Sequence, residues 1–155
     1  MADSLAIIAT KGTLDMAYPP LILASTAVSM DMEAAIFFTL YGINILDKKK
    51  FANLKVAPLA NPAMPMPVPN IVGAIPGMTA MATKMMKDMI KKISWPTVPE
   101  LLEICHEGGV KLWPCQPTMD MMGIRPEDLI PEAEPAIGAA AYLEYASQAS
   151  VTLAF

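Results

Sequence analysis

The sequence is poor in the residues that most often carry chemistry or bind charged partners. Its 155 residues include two cysteines, one histidine and 17% charged residues, whereas average globular proteins have roughly 25% charged residues. Two cysteines and one histidine cannot supply the four ligands of a zinc site, so we expect no metal and no other cofactor. A net charge of −4 argues against nucleic-acid binding, which requires clustered Lys and Arg. Lys11-Gly12-Thr13 is too short for a phosphate-binding loop.

Long uninterrupted apolar runs are also missing. A membrane-spanning helix needs about 20 apolar residues, and the longest uncharged stretch, Val56–Thr83, is interrupted by prolines. Leu5–Ala9 is too short for the core of a secretory signal, and so few cysteines indicate reduced thiols. We therefore predict a cytoplasmic protein. The charge-poor surface predicts a homo-oligomer, with peripheral membrane contact as the alternative.

The segments that are present alternate between strand and helix patterns. Short apolar or β-branched runs predict strands, and helical spacing with capping residues predicts helices between them. We predict an α/β fold, a Rossmann-like parallel sheet of about five strands flanked by helices, with right-handed crossovers. The identified strands are Ser4–Thr10, Ala34–Thr39, Val110–Pro114 and Ser150–Phe155; the main helices are Asp15–Met30, Gly77–Ile93, Thr97–Glu107, Thr118–Met122 and Gly138–Ser147.

A segment rich in proline and methionine interrupts this pattern at residues 56–76. It follows neither the strand nor the helix period, so we predict a long loop within a single domain of residues 1–155. Its apolar composition argues against free disorder. Methionine is suited to adaptable contacts, so we expect the loop to lie against a partner surface or a membrane.

Cys115 is the strongest candidate for a functional residue. It follows the predicted strand Val110–Pro114 and precedes a short helix, and the carboxyl ends of parallel strands are where ligands gather. The amino end of a helix stabilises a thiolate, which is the reactive form of cysteine. We expect the polar turn after Cys115 to expose its thiol. A structural cysteine is the alternative.

Cys105 lies ten positions earlier, inside the predicted helix Thr97–Glu107. Its helical position predicts an inward-facing thiol, and a buried cysteine usually acts as a small apolar residue. The functional alternative is a second thiol that resolves or exchanges with Cys115. Spacing alone does not decide whether the two could form a disulfide, which needs Cα atoms within about 7 Å. His106 is expected to face solvent, and a Cys–His catalytic pair is the less favoured interpretation.

Several short motifs occur in an order that resembles the DsrE/DsrF-like (TusD-related) family. Individually they are weak, but together they span nearly the whole chain and match the two-cysteine DsrE-type subgroup. The motifs are Thr10-Lys11-Gly12-Thr13-Leu14-Asp15, Phe37–Leu46, Pro76-Gly77-Met78, Lys84-Met85-Met86-Lys87, Pro99-Glu100-Leu101-Leu102 and Gly109–Ile124.

The resemblance implies a sulfur relay protein, or sulfurtransferase, in sulfur oxidation. Cys115 would carry a persulfide or thiosulfonate, Cys105 would be the second family cysteine, and the partners would be a TusA-like carrier and a rhodanese-like donor. Lys11, Trp113 and Thr118 are the predicted substrate-binding residues, with Lys11 neutralising an anionic donor. Two other functions stay open: a non-catalytic oligomeric scaffold, and a thiol redox protein that uses a Cys105–Cys115 disulfide.

Overall fold

A computed structural model describes residues 3–56 and 75–155 of the chain. These residues form two compact units, one made of Met1–Leu54 and Val98–Phe155 and the other of Lys55–Thr97. The predicted single domain over 1–155 stays a prediction. The first unit holds strands β1 (Ser4–Ala9), β2 (Glu33–Phe38), β3 (Lys111–Pro114) and β4 (Val151–Ala154). The α-helices among the described residues are α1 (Leu14–Ser29), α2 (Met78–Lys92), α3 (Val98–Glu107), α4 (Gln116–Met122) and α5 (Ala139–Ala146).

The sheet is parallel throughout, with strand order β3-β2-β1-β4. The predicted α/β architecture is confirmed, but the described residues form four strands rather than about five. One short segment extends the sheet beyond β3 without forming a full strand. Its Glu134 and Ile137 amides donate to the carbonyls of Leu112 and Pro114, at 2.9 and 3.0 Å. The bridge between Cys115 and Ile137 is parallel, so this segment covers the β3 edge.

The two faces of the sheet are covered by different helices. The crossovers from β1 to β2 and from β2 to β3 run in one direction across the sheet, and the crossover to β4 returns. Because such crossovers are right-handed, α1 and α3 lie on one face and α5 on the other. The contacts agree, since α1 packs on α3 and α5 packs on β1. The largest side chains that are fully buried include Ile7, Leu21, Ile36, Phe38, Leu102 and Leu112.

Helix α1 begins earlier than its prolines suggest. The helix is predicted from Asp15, but Pro19 and Pro20 lack the amide hydrogen that a helix interior needs, which makes a later start the alternative. In the structure the helix begins at Leu14 and includes both prolines. Pro20 is fully buried, so packing against the core compensates for the lost helical hydrogen bonds.

In the second unit, α2 confirms the predicted helix over 77–93. The Val56 amide donates to the Thr83 hydroxyl at 3.0 Å, and that hydroxyl donates to the Thr79 carbonyl at 2.7 Å. Most of the predicted proline–methionine loop, residues 57–74, lies outside the described residues. No helix in the described part of the chain has both the length and the apolar character to cross a membrane.

Candidate functional site

Cys115 lies at the carboxyl edge of the sheet, between β3 and α4. Its amide donates to the carbonyl of Phe38, the last residue of β2, at 3.0 Å. Its carbonyl accepts the Met119 amide at 3.0 Å, and Cys115 is the N-cap residue of α4. The residue is therefore held by a neighbouring strand and by its own helix, in the position that the sequence predicted.

The thiol of Cys115 is less accessible than the sequence predicted. The residue is only 6% exposed and packs in a cluster with Ala6, Phe37 and Tyr142. The expectation that the following turn exposes the thiol is wrong, because Ile137 also packs against this cluster. The Gln116 amide donates to the Ile137 carbonyl at 2.9 Å, which fixes this cover beside the thiol.

Aromatic rings form the wall around Cys115. The ring of Tyr142, on α5, stacks on that of Phe37 with centroids 4.9 Å apart and planes 12° from parallel. Trp113 meets Tyr145 edge to face at 5.3 Å, and both pack against the Cys115 cluster. Burial raises the pKa of Tyr142, and the nearby Tyr145 acts in the same direction, so Tyr142 is neutral at physiological pH. The thiol thus faces uncharged, largely apolar groups.

Thr118 joins α4 to the turn after β2. Its side chain is buried, with 3% of the residue exposed. The hydroxyl oxygen accepts the Leu40 amide at 3.0 Å and pairs with the Thr39 hydroxyl at 3.2 Å. Leu40 has a backbone φ of 49°, a left-handed conformation that a branched side chain rarely adopts. The predicted substrate-binding residue Thr118 therefore uses its hydroxyl within the protein.

Lys11 lies at the same edge of the sheet as Cys115, but not beside it. It follows β1, which is separated from β3 by β2. Two strand spacings place the ends of β1 and β3 about 10 Å apart. The Lys11 side chain is exposed, and an extended lysine is long enough to approach an anion at the edge.

Cys105 lies apart from Cys115, at the other end of β3. The Val110 amide donates to the Cys105 carbonyl at 2.9 Å, so Cys105 sits beside the start of the strand that Cys115 follows. Five residues of strand from Val110 to Cys115 span about 16 Å. Both thiols are free. This separation, with α3 on the opposite face from the Cys115 cluster, argues against a disulfide between them.

The Cys105 thiol is closed to solvent. It is fully buried and donates to the Leu21 carbonyl of α1 at 3.4 Å. Burial raises the pKa of Cys105 from 9.0 to about 12, although a hydrogen bond with the Ser25 backbone acts in the opposite direction. Cys105 is therefore protonated at physiological pH. Its participation in transfer stays a prediction.

The other candidates from the sequence do not join this site. His106 is exposed on α3, on the face of the sheet away from the Cys115 cluster. Within the described residues, no group of three or more His, Cys, Asp or Glu side chains could hold a metal ion.

The sequence analysis missed three neighbours of Cys115: Phe37, Tyr142 and Ile137. Strand alternation could have placed Phe37 and Trp113 on one face, since they are paired across β2 and β3. The contacts of Tyr142 and Ile137 required knowledge of how the later segments return to the sheet.

Comparisons with known proteins identify the family to which the chain belongs. The chain is 46% identical over 155 residues to the sulfur carrier protein DsrE2 of Allochromatium vinosum, covering 96% of each chain. It is 33% identical over 150 residues to the uncharacterized protein YrkE of Bacillus subtilis, covering 95% of this chain and 93% of that protein. The crystal structure of the ychN protein from E. coli aligns over the full length of both chains with a TM-score of 0.51 and 12% identity, which shows a shared fold. A model of the DsrE/DsrF/DrsH-like family matches residues 1–154, and the chain belongs to that family.

Proposed function

We propose that this protein is a sulfur carrier that holds sulfane sulfur on Cys115 and passes it to a thiol of a partner protein. The observation that carries the proposal is the placement of the thiol, at the carboxyl edge of a parallel sheet and at the N-cap of a helix. The 46% identical relative named as a sulfur carrier supports the same function. Cys105, buried near the other end of β3, takes no direct part in loading.

The transfer is an exchange of one sulfur atom between thiols. The Cys115 thiolate attacks the terminal sulfur of a persulfide donor, R–S–SH, and forms a new S–S bond. The donor S–S bond breaks, its electron pair leaves with R–S⁻, and Cys115 holds –S–SH. A partner thiolate then attacks this terminal sulfur, and the Cys115 thiolate is the leaving group. Each step is redox-neutral overall and needs no cofactor.

The surroundings of Cys115 suit the storage of a reactive sulfur. The cluster of Ala6, Phe37 and Tyr142 leaves 6% of the residue exposed, and exclusion of water limits side reactions of a reactive intermediate. Trp113 extends this apolar shield. The same cover means that loading and delivery require a local opening around the thiol.

The donor and acceptor follow from the family rather than from contacts in this chain. We propose a rhodanese-like donor and a TusA-like acceptor. Exposed apolar side chains near Cys115 offer contact area for such proteins: Leu40 is 49% exposed, Tyr41 69% and Met121 64%. Lys11 would attract an anionic donor to the same edge.

The assembly and cell compartment are further parts of the proposal. We propose a homo-oligomer, on the basis of a chain in which only 17% of residues are charged. We propose a cytoplasmic location on the basis of its two cysteines, which indicate reduced thiols. Native mass spectrometry tests the assembly, and a monomer at micromolar concentration would contradict it.

Mass spectrometry of the protein after exposure to polysulfide or tetrathionate tests the carrier function. We expect a mass increase of one or more sulfur atoms, or of a thiosulfonate group, on the peptide that contains Cys115. Cys115→Ser should abolish the adduct, whereas the matched variant Cys105→Ser should keep it. Transfer is then followed as loss of the adduct when a thiol acceptor is added.

The alternatives give different masses in the same experiment. An intramolecular loss of two hydrogens would support a Cys105–Cys115 disulfide, and an unchanged protein would support a scaffold. If Cys105→Ser alone prevents the adduct, the roles of the two cysteines are reversed.

A further inference from the structure

The hydroxyl of Thr118 is the one side-chain link that the described residues show between α4 and the turn after β2. It accepts the Leu40 amide at 3.0 Å and pairs with the Thr39 hydroxyl at 3.2 Å. Thr118 is 3% exposed, and both hydrogen bonds are partly buried. Loss of the hydroxyl would leave the Leu40 amide without its protein acceptor in this partly buried contact.

Cys115 moves with α4 because it is the N-cap of that helix. Cys115 lies in a buried cluster with Phe37 on β2 and Tyr142 on α5, so a shift of α4 away from these neighbours would open a path to the sulfur. Any hydrogen bond that holds α4 against the end of β2 therefore resists this opening. The Thr118 hydroxyl, three residues from Cys115, makes such bonds to Thr39 and Leu40 in the turn after β2.

The turn that Thr118 holds is itself strained. Leu40 has a φ of 49°, and a branched residue in this region costs free energy and persists only where its surroundings hold it there. The bond from the Leu40 amide to Thr118 is one of the contacts that maintain this conformation. When that bond breaks, both the turn and α4 gain freedom to move.

We propose that Thr118 is a positioning residue that acts as a latch: its hydroxyl keeps α4 on β2 and thereby sets how often the Cys115 sulfur becomes accessible. This inference rests on the proposed function for its biological meaning, since a carrier must hold its sulfur shielded and release it only to a partner. It differs from the substrate-binding role that the sequence predicted for Thr118.

The test compares the rates at which the two cysteines react with iodoacetamide, measured peptide by peptide by mass spectrometry. Thr118→Val keeps the shape of the side chain but removes the hydroxyl. In this variant we expect Cys115 to react about tenfold faster, because loss of one partly buried hydrogen bond shifts an equilibrium by about that factor. Thr118→Ser keeps the hydroxyl and should restore a rate within about twofold of the original protein.

Cys105 serves as an internal reference for global unfolding. Its thiol is fully buried and bonded to the Leu21 carbonyl, so it reacts only when the first unit opens more widely. Acceleration at Cys115 with an unchanged rate at Cys105 supports the latch. Equal acceleration at both thiols, or an unchanged rate at Cys115, overturns it.

Thr83→Val provides the matched control. Thr83 is also a buried threonine whose hydroxyl accepts a backbone amide, that of Val56 at 3.0 Å. Its substitution should lower the melting temperature without changing the reactivity of Cys115. If Thr83→Val accelerates Cys115 as much as Thr118→Val does, general destabilisation explains the rate and the latch is wrong.

The outcome is distinguishable from failure of the proposed function. Alkylation of Cys115 requires only an accessible thiol, whereas the carrier function requires a sulfur adduct. Suppose that the protein forms no adduct with polysulfide, but that alkylation of Cys115 responds to Thr118→Val and Thr118→Ser as described. The latch proposal is then supported and the carrier function is rejected. In a protein that does form the adduct, Thr118→Val should also shorten its lifetime in the presence of dithiothreitol by about the same factor as it accelerates alkylation.

Discussion

The buried thiol of Cys105 should make the protein less stable in alkali. Burial raises the pKa of Cys105 from 9.0 to about 12 in the folded protein. Between these values the unfolded chain loses the thiol proton and the folded protein keeps it. The unfolded state then binds fewer protons, so the free energy of unfolding falls as pH rises, by about 1.4 kcal/mol per pH unit. Below pH 9 this contribution is fully present.

The measurement is urea unfolding of the original protein and of Cys105→Ala at pH 8.0 and at pH 10.5. Because pH 10.5 is about 1.5 units above the ordinary pKa, Cys105 should account for a loss of about 2 kcal/mol. The tyrosines and lysines titrate in both proteins, so comparison of the two pH dependences isolates the thiol. Cys105→Ala should be less stable at pH 8.0, because it leaves a small cavity, but it should lose about 2 kcal/mol less on the move to pH 10.5.

Equal losses in the two proteins would refute this reasoning. They would mean that the Cys105 thiol ionises in the folded state as readily as in the unfolded chain. A thiol of that kind would be accessible enough to exchange sulfur, and the proposal that Cys105 takes no direct part in loading would fail with the prediction. The alkaline stability curve therefore also tests how the two cysteines divide their roles.

Three further substitutions, with Gly138→Ala as a control for the first, test the packing that supports the site. Gly42→Ala should destabilise the protein by about 2 kcal/mol or more, because a Cβ atom there would lie 2.0 Å from the Ala9 carbonyl oxygen. The control Gly138→Ala should change the midpoint of urea unfolding little, because no atom lies within 4 Å of a Cβ at that position. Phe38→Ala, at a fully buried position, should cost about 3–5 kcal/mol in the same assay, and a loss below about 1 kcal/mol would contradict the described core. Lys111→Met should cost less than about 1 kcal/mol, since its ion pair with Glu134 is 3.4 Å long and exposed; a larger loss in urea unfolding would show that this pair holds the segment beside β3.

Much of the fold could be predicted because local patterns agree with it. The strand predicted over Ser4–Thr10 is β1, and the helix predicted over Thr97–Glu107 is α3, which begins one residue later. Such elements carry their own periodicity and capping signals. Among the residues that the structure describes, the segment around Ile137 comes nearest to a fifth strand. It makes only a few bonds to the β3 edge, and its prolines and charged residues do not form a strand pattern.

The site was harder to predict than the fold, because its contacts join residues far apart in the sequence. The position of Cys115 follows from one strand and the turn after it, which is local information. Its burial depends on Tyr142 and Ile137, which reach it only because the chain crosses to the other face of the sheet before β4. No spacing within the segment around Cys115 carries that information.

The order of the strands also determines how the two cysteines differ chemically. With the order β3-β2-β1-β4, right-handed connections place the helix of Cys105 and the helix that covers Cys115 on opposite faces. The Cys105 thiol is then enclosed between α1 and α3, bonded to the Leu21 carbonyl, while Cys115 lies at the carboxyl edge of the sheet, at the N-cap of α4. If β4 were instead paired with the outer edge of β3, the connection from β3 to β4 would continue in the same direction across the sheet. A right-handed connection of that kind would place α5 on the same face as α3. The separation of Cys105 from Cys115, the proposed carrier of sulfur, is therefore a consequence of topology, and the spacing of ten residues between them does not by itself indicate a pair.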